Sequence, residues 1–300
     1  MSAVALEAPA ATPIIEQPGI YDIPEDLYHS DPVPGGSLSY SGAKKLLPPS
    51  CPAKFKYERE HPPQPSQAME LGSAAHKLVL GVGADIVVMD YEDWRTKAAR
   101  EAREGARALG KVPLLPAEYA EAQAIAAAVH AHPVVQHFNL FNPEYGAAER
   151  SLFWQDAETG VWLRSRLDWL PFPGRSGHRF IVGDLKTTAS ADRGSIAKSV
   201  ANFRYFMQAP FYVDGVRALD YGQDPAFLFV FVETAPPYLV TVAQLDDDAM
   251  DAGRALNRKA IERYRDCMES GVWPGYSDFP TDIELISLPP WTLRQMETLS

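Results

Sequence analysis

Apolar and polar residues follow two periods along this chain, one typical of strands and the other typical of helices. Three strand-like runs follow one another at 147–155, 160–170 and 180–188. An acidic, glycine-containing segment at 156–160 separates the first two and favours a hairpin turn. We therefore expect three consecutive strands that form an antiparallel meander.

Helical spacing of apolar residues predicts helices before and after this meander. Pro210 falls inside one of them, and because it lacks an N–H group we expect a kink there. Further strands are predicted at 85–89, 226–233 and 238–243, which completes a mixed α/β (α+β) pattern. The predicted helices cover 39–47, 51–60, 69–81, 94–109, 116–132, 195–219 and 249–270.

The pattern also suggests how the chain is organised. Residues 1–19 are rich in Ala and Pro and lack a basic segment, so we interpret them as a flexible tail rather than a signal peptide. The remainder is predicted to form a single domain. An arm with short helices and a proline-rich linker (20–66) precedes the core (67–245), and a final helix and tail follow (246–300).

Composition narrows the class of protein. A formal charge of −11 argues against a wholly basic nucleic-acid-coating protein but leaves room for a local basic groove. Cys51 and Cys267 are the only cysteines, so the chain cannot build a four-cysteine iron–sulfur or zinc site, and a reducing cytoplasmic setting is the simplest expectation. No apolar run reaches the roughly 18 residues that a membrane span needs.

The candidate chemistry begins at the end of the third strand. Side chains alternate along a strand, so Asp184 and Lys186 should project to the same face. Asp168 closes the preceding strand. Two acids and a lysine on adjacent strands can hold a divalent metal and a water beside it. A surface salt bridge is the alternative for any single Asp-x-Lys pair.

An upstream helix offers a further metal ligand. Gly72 and His76 fall on one helical face, and a glycine in mid-helix usually marks a close approach by another group. His76 could bind a metal or a phosphate, or it could be a structural histidine.

Positive charge is predicted close to the acids. Arg164 and Arg166 share the face of Asp168 by the period of two, where a phosphate would arrive. Lys44 and Lys54 lie in the short basic helices, where interleaved aromatic residues can bind a nucleic-acid backbone. A solvated helix surface explains the helix of Lys54 equally well.

Tyr205, Gln208 and Tyr212 are spaced i, i+3, i+7 and therefore lie on one helical face. Such a face can contact a substrate base or sugar or orient a catalytic group. An amphipathic helix with half-buried tyrosines is the alternative.

This ordered set of residues resembles the PD-(D/E)XK nuclease superfamily and, within it, the RecE/RecB-like exonucleases and their phage relatives. The superfamily is named after a motif in which a proline precedes the first aspartate. In this chain the residue before Asp168 is Leu167. The matching positions are Gly72, His76, Asp168, Asp184 and Lys186 within 182–188, Gln208 and Tyr212, together with 38–44, 51–55, 231–233, 236–238 and 271–276.

The resemblance implies a restriction-endonuclease-like core in which Mg²⁺ or Mn²⁺ is bound by His76, Asp168, Asp184 and the carbonyl of Leu185. Lys186 would orient or activate the attacking water. The catalytic set would further include Gln208 and Tyr212, with Glu149 beside the metal site and Arg164, Arg166, Tyr205, Lys44 and Lys54 as DNA contacts.

The activity that the resemblance implies is a metal-dependent exodeoxyribonuclease acting on double-stranded DNA ends in recombination or repair. It also implies a ring-shaped homo-oligomer, a single-strand annealing partner and a bacterial or phage-infected host cell. Two alternatives remain open: a structure-specific endonuclease of the same fold, and a non-catalytic DNA-binding or assembly protein.

Overall fold

The structure is a computed structural model that describes residues 14–61, 67–175, 177, 179–277, 281, 283 and 285–297. Within them the strands are β1 (Gly19–Tyr21), β2 (Leu38–Ser39), β3 (Ile86–Val88), β4 (Val112–Leu114), β5 (Gly146–Gln155), β6 (Trp162–Pro171), β7 (Ile181–Thr188), β8 (Ala226–Glu233) and β9 (Val240–Ala243). The helices are α1 (Glu25–His29), α2 (Tyr40–Ala43), α3 (Pro52–Glu60), α4 (Gln67–Leu80), α5 (Lys97–Ala108), α6 (Pro116–Ala131), α7 (Pro133–His137), α8 (Arg193–Asn202), α9 (Tyr205–Ala218), α10 (Asp247–Ser270) and α11 (Pro290–Glu297).

The main sheet contains the predicted meander. Its strand order is β1-β5-β6-β7-β8-β9, with β2 added in parallel to the start of β6. β5, β6 and β7 run antiparallel in succession, and β8 then pairs in parallel with β7 along its whole length. The sheet is therefore mixed, as the α/β prediction required. β3 and β4 form a separate two-stranded sheet.

Helices cover both faces of the main sheet, because β7 and β8 carry apolar side chains on both sides. One core packs Val182, Phe229 and Phe231 against Met207 and Phe211 of α9 and against α10. The other core packs the opposite face of the same strands against α4, α6 and α7. The sheet is the middle layer of a three-layer domain.

β6 and β7 separate soon after their turn. Among the described residues, the backbone pair between these two strands is Trp169 with Gly183. The first residues of β6 pair instead with β2, at Leu38 and Ser39. Asp168 and Asp184 flank the last paired position. The two acids therefore lie where the strands diverge, and the divergence leaves room for other groups between them.

The helix predicted over 195–219 is two helices. The chain breaks between α8 and α9 at Arg204, whose φ of 59° places it in the left-handed region. The break is therefore not at Pro210, which lies inside α9. Pro210 leaves the Phe206 carbonyl without its helical donor. Gly253 of α10 packs against that carbonyl so closely that an added Cβ would lie 1.8 Å from its oxygen.

The chain ends differ from the sequence prediction in two places. Ile15 is only 4% exposed and packs with Tyr28, Val33 and Phe153, so the predicted flexible tail extends too far. Residues 1–13 of that tail and 62–66 of the predicted linker lie outside the described residues. Near the C-terminus the predicted tail contains a further helix, α11.

Candidate metal centre and catalytic lysine

Asp184 and Lys186 share one face of β7, as their spacing predicted. The Asp184 carboxylate is 1% exposed, and its Oδ2 lies 2.6 Å from Lys186 Nζ. Its Oδ1 accepts a hydrogen bond of 2.7 Å from the side-chain amide of Gln208 on α9. A fully buried carboxylate requires such partners, since burying an unpaired charge costs several kcal/mol. The pair is therefore not a surface salt bridge.

The face of α9 next to β7 supplies two further predicted residues. Lys186 Nζ lies 5.0 Å from the centre of the Tyr205 ring, within cation–π range. Tyr212 is half-buried and packs edge-on against Tyr40 and Phe227. Tyr205, Gln208 and Tyr212 do share a face, and Gln208 and Tyr205 contact the Asp184–Lys186 pair.

Two opposing effects set the charge state of Lys186. Burial lowers the pKa of its ammonium, but the negative charges of Asp184 and Asp168 outweigh burial and raise the pKa above its usual value. In the metal-free protein Lys186 is therefore a cation, suited to orienting a water or offsetting phosphate charge rather than accepting a proton.

His76 reaches the site from α4, on the other side of the sheet. Its Nε2 lies 3.1 Å from the carbonyl oxygen of Leu185 and 3.6 Å from Asp168 Oδ2. The same Asp168 oxygen accepts a hydrogen bond of 2.8 Å from the backbone N–H of Leu185. The imidazole nitrogen, a carboxylate oxygen and a carbonyl oxygen thus converge where β6 and β7 separate.

Glu149 joins this group through a bulge in β5. The pairing of β5 with β6 passes from Ala148 directly to Arg150, and Glu149 has a φ of 56°. A bulge leaves one residue unpaired and re-aims its side chain. Arg166 forms an ion pair with the Glu149 carboxylate and holds it in place.

Ligand atoms of His76, Glu149 and Asp168 all lie within 4.8 Å of one another. Ligands of one bound cation stand at such separations, since each lies 2–2.5 Å from the ion. Asp184 is outside this group, because Lys186 and Gln208 engage its carboxylate. Its assignment as a metal ligand stays a prediction.

The electrostatics of Asp168 favour a cation beside it. Burial, followed by the negative charge of Asp184, raises the pKa of the Asp168 carboxyl to about 7. Ionised carboxylates brought together in a buried place repel each other, and a divalent cation between them removes that cost. The donor set of carboxylates, a carbonyl and one imidazole suits such an ion.

The two arginines of β6 make contacts within the chain. Arg164 donates hydrogen bonds to the Ser37 carbonyl at 2.8 Å and forms an ion pair with Asp31 at 2.7 Å. Arg166 donates to the Ile23 carbonyl in addition to pairing with Glu149. Both therefore fasten the N-terminal arm to β6, and their assignment as DNA contacts stays a prediction.

The two lysines predicted as DNA contacts lie apart from each other. Lys44 Nζ stands 5.2 Å from the Tyr40 ring centre, on the side of the molecule that carries Lys186. Lys54 Nζ stands 5.0 Å from the ring of Tyr276. Lys44 is close enough to Lys186 for their charges to interact, and the roles of both Lys44 and Lys54 as DNA contacts stay predictions.

Gly72 does not mark the close approach that the sequence suggested. A Cβ added there would meet only Thr187 Oγ1, at 3.6 Å, which is an ordinary contact. Gly72 and Thr187 instead line a cleft of about 410 Å³ that also includes Glu118 and Thr234. Since Thr187 follows Lys186, the cleft borders the site.

Comparison with known proteins identifies the family. Residues 39–281 match the family described as PDDEXK-like domain of unknown function (DUF3799). The chain belongs to this family. The resemblance to the PD-(D/E)XK superfamily and the predicted fold class are thereby confirmed.

A solved structure shares the fold of this PDDEXK-like chain. The crystal structure of the Eubacterium rectale protein described as "Putative exonuclease" aligns with a TM-score of 0.56 at 13% identity, covering 91% of this chain and 98% of that one. No curated protein matches. Among the described helices, none combines the length and apolar character needed to cross a membrane.

Proposed function

We propose that this PDDEXK-like chain is a metal-dependent exodeoxyribonuclease that hydrolyses phosphodiester bonds from the ends of double-stranded DNA. The family assignment supports a nuclease of this fold. The observation that carries the proposal is the buried Asp184–Lys186 pair beside the His76, Glu149 and Asp168 group. A structural salt bridge would need no such neighbours.

The donor set supports Mg²⁺ or Mn²⁺ as the ion. Carboxylate and carbonyl oxygens are the ligands that both ions prefer. His76, Asp168, Glu149 and the Leu185 carbonyl are the groups that would hold it. When bound, the ion would lower the pKa of a water and polarise the phosphate.

Hydrolysis adds the hydroxyl of a water to phosphorus and breaks the bond from phosphorus to the leaving sugar oxygen, which gains the water's other proton by way of solvent. In this proposal the Lys186 ammonium orients the water and offsets the charge that develops on the phosphate oxygens. Asp184 fixes the ammonium, and Gln208 fixes Asp184 through its second oxygen.

The choice of an exonuclease rests on the sequence resemblance and on the description of the Eubacterium rectale protein, whose fold this chain shares. The proposed substrate is a double-stranded end, and the proposed assembly is a homo-oligomeric ring that cooperates with a single-strand annealing protein in recombination or repair. Size-exclusion chromatography with light scattering tests the assembly separately.

The deciding experiment compares linear duplex DNA with covalently closed circular DNA, with Mg²⁺ or Mn²⁺ and with EDTA. We expect metal-dependent loss of the linear substrate only, and none with Lys186→Ala. Cutting of the circle would instead indicate an endonuclease. Linear DNA degraded no faster by the wild type than by Lys186→Ala would refute a nuclease and leave a non-catalytic DNA-binding protein.

A further inference from the structure

The exposed aromatic side chain of Phe203 contacts Tyr205, the ring that packs against the proposed catalytic lysine. Phe203 is 55% exposed, although its neighbours Tyr205 and Phe206 are half-buried. Its ring lies 5.6 Å from the Tyr205 ring, at an interplanar angle of 33°. Tyr205 in turn lies beneath Lys186 Nζ. The two rings form a continuous aromatic surface, here called the aromatic step, that leads from solvent to Lys186.

The aromatic step has rigid support. On its inner side the Tyr205 ring packs against Phe229 and Phe231, both fully buried in β8. Its solvent end is held by the Tyr40 hydroxyl, which donates to the carbonyls of Phe203 and Arg204 at 2.8 and 3.1 Å. A surface built on packed elements keeps its position when a ligand arrives.

The backbone that presents Phe203 is strained. Arg204 has left-handed dihedral angles, which are unfavourable for a non-glycine residue. The strain turns the chain between α8 and α9 and leaves Phe203 outside both helices. Strained residues of this kind concentrate at ligand sites.

Positive charge surrounds the aromatic step in a protein whose net charge is −11. Among the described residues Lys44 has no acidic partner within ion-pair distance. Burial and the nearby charges of Lys45, Lys186 and Arg204 lower the pKa of the Lys44 ammonium. Arg204 donates to the backbone carbonyls of Lys44 and Pro48 rather than to a carboxylate. Among the described residues, therefore, no carboxylate neutralises the charge of Lys44 or Arg204.

An exposed aromatic ring beside unpaired cations is the composition that binds single nucleotides, since bases stack on the ring and phosphates meet the cations. We infer that the aromatic step stacks a nucleobase next to the phosphate being cut, with Lys44 and Arg204 near the flanking phosphate. The inference rests on the proposed function and names the part of the substrate that Phe203 recognises: an unpaired base at the DNA end.

The test uses the full chain and duplexes that each carry one abasic nucleotide, placed at each of the first four positions from the end of either strand. Binding is measured by fluorescence anisotropy in EDTA, so that no cleavage occurs. We expect one abasic position to weaken wild-type binding by about tenfold, the size of one lost base–aromatic stack. In Phe203→Ala, binding to intact duplex should already be about tenfold weaker, with no further loss at that position.

Matched variants separate stacking from folding. Phe203→Trp should restore both the affinity and the abasic effect, because it restores a stacking surface. Trp291→Ala removes another exposed aromatic side chain, on α11, and should bind like the wild type. An abasic effect that persists in Phe203→Ala would overturn the inference. So would an altered oligomeric state of Phe203→Ala with unchanged DNA binding, which would make Phe203 a protein contact.

The same measurements distinguish this inference from the proposed function. If the wild type shows the abasic effect but cuts no DNA with metal, the nuclease proposal fails and the stacking site stands. If the wild type cuts linear DNA and Phe203→Ala matches it in KM and binding, the stacking site fails and the nuclease stands.

Discussion

Gln208 donates its side-chain amide hydrogen to Asp184 Oδ1 at 2.7 Å, and both residues are buried. The contact joins α9 to β7 at the point where Lys186 pairs with the other carboxylate oxygen. Gln208 thereby fixes the direction in which Asp184 presents its charge, and through Asp184 it fixes Lys186.

Replacing Gln208 should lower activity more than stability. We expect Gln208→Ala to reduce the initial rate on linear duplex about 10- to 100-fold, the usual cost of removing a group that orients a metal-site residue. The rate is measured with saturating metal, and folding is checked by circular dichroism.

Asn257→Ala is the matched control for Gln208→Ala. Asn257 donates to the carbonyl of Met207, one residue before Gln208, without touching Asp184. Its loss should lower the melting temperature and leave the rate within a few-fold of the wild type. Equal rate losses in the two variants would argue that Gln208 acts only through the packing of α9.

Asp168 should make the stability of the metal-free protein depend on pH below neutrality. Its pKa is raised to about 7, above the value in the unfolded chain, by burial and then by Asp184. A carboxyl of this kind contributes stability at low pH that is lost as pH rises through about 7. We expect the melting temperature in EDTA to fall as pH rises from about 4 to about 7 and to level off above that range, and Asp168→Asn to lack that component.

A bound cation should reverse this trend. Because protons compete with metal for Asp168, affinity for Mn²⁺ measured by calorimetry should rise from pH 6 to pH 8, with proton release detected by comparing buffers. Identical pH profiles for Asp168→Asn and the wild type would show that Asp168 is not the group involved.

Gly253 packs against the Phe206 carbonyl, so we expect alanine at this helical position to lower the stability of the protein. A Cβ there would lie 1.8 Å from the carbonyl oxygen, so α9 and α10 must move apart. We expect Gly253→Ala to lower the free energy of unfolding by about 1–3 kcal/mol. Urea denaturation measures it.

Gly105→Ala serves as the control for Gly253→Ala, because a Cβ there meets nothing within 4 Å in α5. It should stabilise the protein by about 0.5–1 kcal/mol through helix propensity. If both variants stabilised the protein, the packing of α9 on α10 would be looser than described.

Arg258 ties α10 to the turn between β5 and β6. Its two terminal nitrogens each donate to Asp156 at 2.8 Å, and Asp156 is 8% exposed. Arg258→Ala should cost about 1–2 kcal/mol of unfolding free energy, less than a fully buried pair because the arginine is partly in solvent.

The pH dependence of the stability of Arg258→Ala tests whether the lost free energy comes from the pair with Asp156. Burial alone would raise the pKa of Asp156, but hydrogen bonds from Arg258 and Thr159 outweigh it and lower the pKa. The stabilisation is therefore present above the ordinary Asp pKa and is lost as pH falls below it. Wild type and Arg258→Ala should converge in acid; a constant difference down to pH 3 would contradict the pair.

The meander and the shared face of Asp184 and Lys186 could be predicted from the sequence. Side chains alternate between the two faces of a strand, so the same pattern indicates the strands and places residues 184 and 186 on one side. The ends of α8 and α9 could not be predicted in this way. The left-handed Arg204 is held by the Tyr40 hydroxyl, 163 and 164 positions away from the two carbonyls that it binds. Local spacing carries no signal for such a contact.

The resemblance placed Glu149 beside the metal site, but the bulge that brings it there was hidden for a related reason. Its sequence neighbours predict an ordinary strand residue, and only the register against β6 shows the bulge that turns its carboxylate toward Asp168. Arg166 illustrates the opposite case. Its face was predicted, but its pairing with Glu149 depends on that same bulge.

The order of the site residues along the chain has a consequence during synthesis. His76, Glu149, Asp168, Asp184 and Gln208 come from α4, β5, β6, β7 and α9, so the last of them follows most of the domain. The strand that completes the sheet beside Asp184, β8, comes later still. A chain still leaving the ribosome therefore has no complete site, and the proposed activity would begin only after β8 has been made and packed.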